Sequence, residues 1–235
     1  MPRVDSKYGR ADVTLVTLVY RSLKWLKWCM DSVDDSIQAT RYRWLVVAND
    51  ATEEVRNSDL VDVDWRNEDP GEYYIPRVYR AWHEGMLQAR TQNVILLNND
   101  MFASDHAVDE LMAAKKADPK ALPCGLLVES GRIPSGMPEY VRNFGLTPGT
   151  FHRAGFLRYA DSIRKRGETE PGRLFQPVLF DRQDYFGFDG YPQGNVAGVS
   201  GDRILFERFQ RAGFRWITCL GSVFYHVQTG EQADE

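Results

Sequence analysis

The chain has 235 residues, 43% of them hydrophobic and 12% aromatic, which is enough for a packed core and excludes a disordered chain. A formal net charge of −4 and a pI near 5.7 give no overall field for nucleic acid or an anionic membrane, although they leave room for a local basic patch. Three widely spaced cysteines, Cys29, Cys124 and Cys219, argue against a disulfide framework and against a cysteine zinc site, and suit reduced thiols.

The N-terminal "MPRVDSKYGR" lacks an apolar h-region, so no signal peptide is expected. No apolar run approaches the ~20 residues of a membrane span. The expected location is cytoplasmic, with peripheral membrane contact open.

"VTLVTLVY" (13–20) is rich in β-branched residues and predicts a buried strand. Ser22 is placed to cap the helix that follows, on which Leu26, Cys29, Met30 and Val33 make one apolar face. "YRWLVVAND" (42–50) predicts a second strand, and residues 60–75 an acidic loop. "PRVYRAWHEGMLQA" (76–89) predicts a helix with Pro76 near its start. "NVILLNND" (93–100) predicts a third strand with a polar end. "SDHAVDELMAAKKA" (104–117) predicts a helix capped by Ser104, with acids in its first turn and lysines in its last. "CGLLVES" (124–130) predicts another strand.

This alternation predicts a mainly parallel sheet with helices on both faces. From 131 to 187 the pattern weakens, with a charged run at 161–173, and predicts loops and short elements over one sheet edge. "GDRILFERFQRAGF" (201–214) predicts a helix closed by Gly213. "RWITCLGSVFYH" (215–226) predicts a last strand or strand pair, and 227–235 a frayed tail.

In open parallel sheets ligands bind beyond the carboxyl ends of the strands. Three strands here end in polar groups: Tyr20-Arg21-Ser22, Asn49-Asp50 and Asn98-Asn99-Asp100. Hard oxygen ligands on such a rim suit Mg²⁺ or Mn²⁺ held mainly through a substrate's phosphates. The plain alternative is that each Asn or Asp makes a strand-end turn. Other chemistries lack their signatures. There is no G-x-G-x-x-G after the first strand, no P-loop and no G-x-S-x-G, and His83-Glu84 is followed by Leu87 where a zinc protease needs a second histidine.

In order and spacing these residues resemble glycosyltransferase family 2, of the GT-A fold. "VTLVTLVYRSLKWLKWCMDSV" is similar to its first strand and helix, where the family usually has Tyr-Asn at Tyr20-Arg21. "VVANDAT" (46–52) is similar to its V-N-D-G-S turn, and "GMLQARTQNVILLNND" (85–100) to the segment ending in its D-x-D motif. Residues 187–226 are similar to its G-F-D … E-D … R … A-G-Y … H block.

The resemblance implies a single GT-A-like (Rossmann-like) α/β domain with a mixed, mainly parallel sheet flanked by helices and an irregular acceptor side. Residues 11–102 would form the donor half, 121–226 the acceptor and catalytic half, and 227–235 the tail. It implies transfer of a sugar, with inversion, from a nucleotide-sugar (a UDP-sugar foremost) to an unidentified glycan, protein, lipid-linked or nucleic-acid acceptor.

By the same resemblance Thr17, Tyr20, Arg21, Asp50, Asn98 and Asn99 bind donor, with Tyr20 stacking on the base and Asp50 accepting from base or ribose. Asp100 and His226 would hold Mn²⁺ or Mg²⁺, and Asp202 would be the general base. Plain alternatives stand beside each: rim packing for Tyr20, a turn for Asp50, a structural strand end for His226, and a helix-end acid for Asp202.

Three positions depart from the family. Asn98 replaces the first acid of D-x-D, Gly201 replaces the Glu of E-D, and His83 replaces the usual helix Asn. Gly201 keeps open a non-catalytic nucleotide- or sugar-binding module. A nucleotidyltransferase making nucleotide-sugars is the other alternative, though "VYRSLKW" lacks its Gly-rich loop. The aromatics Tyr140, Phe144, Phe151, Tyr159, Tyr185 and Phe186 are candidates for an acceptor platform or for core.

Overall fold

The computed structural model describes residues 11–69, 72–172, 175–192 and 199–233. Residues 1–10 of the N-terminus, 193–198 of the 187–226 block, the end of the charged run at 173 and the last two residues of the tail lie outside the described residues.

In chain order the elements are β1 (Val13–Val19), α1 (Leu23–Ser36), β2 (Tyr42–Asn49), α2 (Glu53–Arg56), β3 (Val63–Trp65) and α3 (Tyr74–Gln88). Then come β4 (Asn93–Leu96), β5 (Met101–Ala103), α4 (Ala107–Ala117), β6 (Ala121–Glu129), a 3₁₀ turn at Pro138–Tyr140 and α5 (Arg153–Ile163). The chain continues through β7 (Thr169–Pro171), β8 (Val178–Asp181), α6 (Arg182–Gly187), α7 (Gly201–Arg211), β9 (Arg215–His226) and a 3₁₀ turn at Gly230–Ala233. The architecture is mixed α/β.

Two compact units divide the chain. The first comprises residues up to Arg21, Arg41–Leu97 and Val178–Arg215. Its strands lie in the order β3-β2-β1-β4-β8. β1 pairs in parallel with β2 and β4, and β2 with β3, whereas β8 runs antiparallel to β4. β1 is buried on both faces, as its unbroken run of Val, Leu and Thr requires.

Helix α3 crosses this sheet at close range. A Cβ on Gly85 would lie 2.4 Å from Val16 Cγ1, so only glycine admits the contact. Helix α7 buries Leu205, Phe206 and Phe209, and the latter two rings pack on Phe180 of β8. Each such ring contributes about 1.5–3 kcal/mol of burial. The end of α7 follows from Gly213 at φ +82: Gly213 N–H donates to Gln210 and Phe214 N–H to Phe209, with the Phe209 and Phe214 rings in edge contact.

The second unit comprises Ser22–Thr40, Asn98–Pro177 and Trp216–Glu235. Its strands run in the order β6-β9-β5, with β7 on β9, and β5 and β7 are antiparallel to β9. Its core joins Trp25, Phe102, Leu126, Val128, Phe156, Val223 and Tyr225. The three cysteines are buried and unbridged.

Several expectations change. The 93–100 strand stops at Leu96; Asn99 and Asp100 form a turn, and Met101–Ala103 restarts as β5 against β9. The acidic stretch 60–75 contains β3 and the start of α3, which begins at Tyr74. Ser22 sits at the N-cap of α1 without a side-chain cap. Ser104 does not cap α4. Its N–H still belongs to the sheet, donating to Val223, and His106 in a left-handed conformation takes the N-cap place.

The 131–187 region supplies more than loops, for it contains α5 and the sheet strand β8. Strand pairing is parallel around β1 and antiparallel at β8 in the first unit, and antiparallel at β5 and β7 in the second, so it is mixed as expected. The tail is not frayed through its described part: Val227, Gln228 and Glu231 are buried. Among the described residues no helix is long and apolar enough to cross a membrane.

Candidate functional site

The N-N-D turn, the end of β6, the end of β9 and the tail meet within the second unit. Asp100 Oδ2 lies 3.4 Å from His226 Nε2, and Glu129 Oε1 lies 3.2 Å from His226 Nδ1. The backbone sets this geometry. Met101 is in register with His226, Val227 N–H donates to Asp100 O at 3.0 Å, and Ser130 N–H donates to His226 O at 3.0 Å.

Burial alone would lower the pKa of His226. The Asp100 and Glu129 carboxylates overcome it and push the pKa up to about 10. Asn99 donates from Nδ2 to Glu231 Oε1 at 2.8 Å, and Ser22 N–H donates to Glu231 Oε2 at 2.7 Å, so the tail ties the N-N-D turn to the start of α1. The Asn98 carbonyl accepts the Cys29 thiol at 3.6 Å.

Among the described residues no group of three or more His, Cys, Asp or Glu side chains is arranged to hold a metal ion. Two atoms do fit one. Asp100 Oδ2 and His226 Nε2, 3.4 Å apart, are at a spacing that two bonds of about 2.1 Å can span. Mg²⁺ and Mn²⁺ commonly take few protein ligands and complete their shell with phosphate oxygens and water.

In the first unit, Asp50 adopts φ +47 at the end of β2. Its Oδ1 accepts Asn67 N–H at 2.8 Å, and its Oδ2 lies 3.5 Å from Arg77 Nη1. It is a turn residue, as the plain alternative described, with lone pairs left for another donor. Tyr20 is half-buried and Arg21 exposed; the Arg21 guanidinium lies 4.6 Å from the Tyr20 ring centre and covers one face. Thr17 is fully buried, and its hydroxyl has no hydrogen-bond partner among the described residues.

Asp202, also in the first unit, stands in the first turn of α7 behind the Ser200 cap. Its Oδ1 accepts from Tyr191 Oη at 2.8 Å and its Oδ2 from Tyr79 Oη at 3.2 Å. Those two rings stack, with centres 4.9 Å apart at 13°. Burial raises the Asp202 pKa against the opposing pull of the two hydroxyls. Tyr79, itself pushed up to about 12 by burial and Asp202, also accepts Gly201 N–H at 3.0 Å. A Cβ at residue 201 would lie 2.4 Å from the Tyr79 ring. A side chain at residue 201 is therefore excluded by the Tyr79 ring.

His83, the other departure, faces Tyr185 Oη at 3.2 Å, and that hydroxyl accepts Tyr191 N–H. Tyr185 is fully buried core, and Tyr140, Phe144, Phe151 and Tyr159 are partly buried rings packed against the core of the second unit. Phe186 sets its ring edge-on to Tyr185 and His83.

The structure thus brings Asp100 and His226 together, with Glu129 on the His226 ring and Glu231 on Asn99 and Ser22, two acids that sequence reasoning missed. Glu129 had a signal, since it ends a strand in a carboxylate as Asp100 nearly does. Tyr79, Tyr191 and Glu231 had none.

No protein-family model matches the chain, and no curated protein matches it. Among solved structures it is similar to GalNAc-T7 with UDP, GalNAc and Mn²⁺, with a TM-score of 0.64 and 14% identity over 92% of this chain and 44% of that one. At this identity the likeness shows the fold, a GT-A-like α/β architecture. The chain spans less than half the length of that protein.

Proposed function

We propose that the protein is a glycosyltransferase moving a sugar from a UDP-sugar to an acceptor hydroxyl, with inversion and with Mn²⁺ or Mg²⁺. The observation that carries this is the approach of Asp100 Oδ2 and His226 Nε2 to 3.4 Å at the strand ends of a GT-A-like fold. The neighbour of known structure holds UDP and Mn²⁺, which favours that donor and that metal class. A bound divalent cation supplies neutralisation of the charge that grows on the departing diphosphate.

The chain's own residues do the rest in this reading. Tyr20 offers a ring face to the base, and Asp50 accepts from base or ribose. Arg21 completes the nucleoside contacts, whereas Thr17, expected among them, is fully buried in β1 and does not reach a ligand, and Asn98 and Asn99 serve the sugar hydroxyls. Asp202 takes the acceptor hydroxyl's proton while the new oxygen–carbon bond forms at the anomeric centre. The carbon–oxygen bond to the diphosphate breaks on the opposite face, and the electron pair leaves with UDP. A carboxylate whose pKa is raised by burial is suited to that task, and each Asp202 oxygen keeps a lone pair beyond its tyrosine bond.

A second reading, a binding module without turnover, is favoured by the Tyr79 ring that excludes a side chain, and so a second carboxylate, at residue 201. Incubation of the chain with labelled UDP-sugars, Mn²⁺ and panels of glycan, peptide, lipid-linked and nucleic-acid acceptors separates the two. The transferase yields a product of inverted anomeric configuration, or slow donor hydrolysis where no acceptor fits. UDP binding with neither transfer nor hydrolysis would leave the module.

A further inference from the structure

We propose that Glu129 is the positioning residue that makes His226 a metal ligand, a role that rests on reading Asp100 and His226 as the metal pair. The two imidazole nitrogens face different carboxylates, Nδ1 towards Glu129 at 3.2 Å and Nε2 towards Asp100 at 3.4 Å. Glu129 is the last residue of β6, and the Ser130 N–H bond to His226 O fixes it alongside the ring. Ser135 Oγ donates to its second oxygen at 3.3 Å. The backbone of Gly136, at φ +84, packs so closely that a Cβ there would lie 2.7 Å from Glu129 Cγ. The carboxylate is thus held on three sides.

Its side chain is only 4% exposed, so Glu129 cannot itself reach a ligand in solvent. It acts on His226 instead. A carboxylate at Nδ1 keeps a proton on that nitrogen and fixes the ring plane. The Nε2 lone pair, once its proton is lost, would then be shared with a cation also held by Asp100. Such carboxylate–histidine–metal relays are the usual way a protein orients an imidazole ligand, and breaking one typically costs 10–100-fold in metal affinity. The arrangement also accounts for the lack of a three-residue ligand group among the described residues, because the third acid stands on the far side of the ring.

The competing role is charge compensation alone, in which Glu129 merely offsets a buried imidazolium. The two roles differ in their effect on metal binding. A positioning Glu129 strengthens it. A mere counter-charge favours the protonated ring that excludes the metal, so its loss leaves affinity unchanged or improved.

The test is titration of Mn²⁺ alone into the full chain at fixed pH, with free Mn²⁺ read by electron paramagnetic resonance. Wild type is compared with Asp100→Ala, His226→Ala, Glu129→Gln and Glu129→Asp. The expected result is loss of the site in the first two variants and a 10–100-fold weaker Kd in Glu129→Gln. Glu129→Asp keeps the charge but retracts it, and is expected to weaken binding as well. It also carries the test if Glu129→Gln does not fold.

Because the chain has only four histidines, ring ¹⁵N spectra in Mg²⁺ read the tautomer directly. A proton on Nδ1 of His226 is expected in wild type, and a mixture in Glu129→Ala. Unchanged or tighter Mn²⁺ binding in both Glu129→Gln and Glu129→Asp, with the site lost in Asp100→Ala and His226→Ala, would overturn the role of Glu129 and leave the metal pair standing. Equal Mn²⁺ binding by wild type and Asp100→Ala would overturn both.

Discussion

Replacing Gly201 by alanine tests whether the Tyr79 ring is the reason this chain lacks a second carboxylate before Asp202. The added Cβ would meet Tyr79 Cε2 at 2.4 Å, Cδ2 at 2.7 Å and Cζ at 2.8 Å. Ordinary carbon contacts lie at about 3.5–4.0 Å, so something must move by about 1 Å. The ring is poorly placed to do so. It is stacked on Tyr191, and its hydroxyl bonds both Asp202 and the Gly201 N–H. Overpacking of this kind costs about 1–3 kcal/mol, while exchanging glycine for alanine in a first helical turn returns about 0.5–1 kcal/mol.

The expected net loss for Gly201→Ala is therefore about 0–2.5 kcal/mol, read from urea unfolding midpoints at unchanged m value. In a Tyr79→Leu background, which removes the rigid ring, the same change should become neutral or stabilising. The reasoning fails if Gly201→Ala has the same effect on stability in both backgrounds.

Asp202→Asn should leave UDP affinity near normal and reduce transfer by roughly 10²–10⁴, as loss of a positioned base does, and full transfer would reduce Asp202 to a helix-end acid. Burial raises the Asp109 pKa, but the Thr40 side chain and the N–H groups of Gln38, Ala39 and Thr40, which Asp109 accepts, prevail and hold it below the usual 3.8. Its stabilisation is thus present above the unfolded value and lost as pH falls through the folded one, so Asp109→Asn should cost about 1–2 kcal/mol at neutral pH. That deficit should shrink as urea midpoints are followed below pH 3.8, and a constant deficit would contradict the assignment. Glu231→Ala strips partners from Ser22 N–H and Asn99 Nδ2 and should cost about 2–4 kcal/mol; a loss under about 0.5 kcal/mol would show the tail to be dispensable.

Local pattern made β1, β2 and α3 legible, because β-branched runs and a helical apolar face arise from neighbours in sequence. It failed where the determinant was distant. α5 hid behind charges because Phe156 and Ala160 are its only fully buried residues, too few to mark a face. β5 and β8 have three and four residues and exist through pairing with β9 and β4, which no local signal announces. Ser104 has the residue type of a cap, but α4 starts only at Ala107 behind His106, which puts Ser104 two residues before the cap position.

The site divided in the same way. Polar strand ends marked Asp50 and Asp100, and the ordered block at 187–226 pointed to Asp202 and His226. The contacts that shape them come from across the chain: Tyr79 against Gly201, Glu129 beside His226, and Glu231 under Asn99.

Calorimetric titration of UDP into wild type and Asp100→Ala, each with and without Mn²⁺, tests the proposed donor site most directly, with thermal melts as the companion reading. The account predicts binding that needs the cation, stabilisation of about 2.7 kcal/mol at 100 times the dissociation constant, and loss of the cation-dependent part in the variant. UDP binding that ignores Mn²⁺, or that survives unchanged in Asp100→Ala, would contradict it.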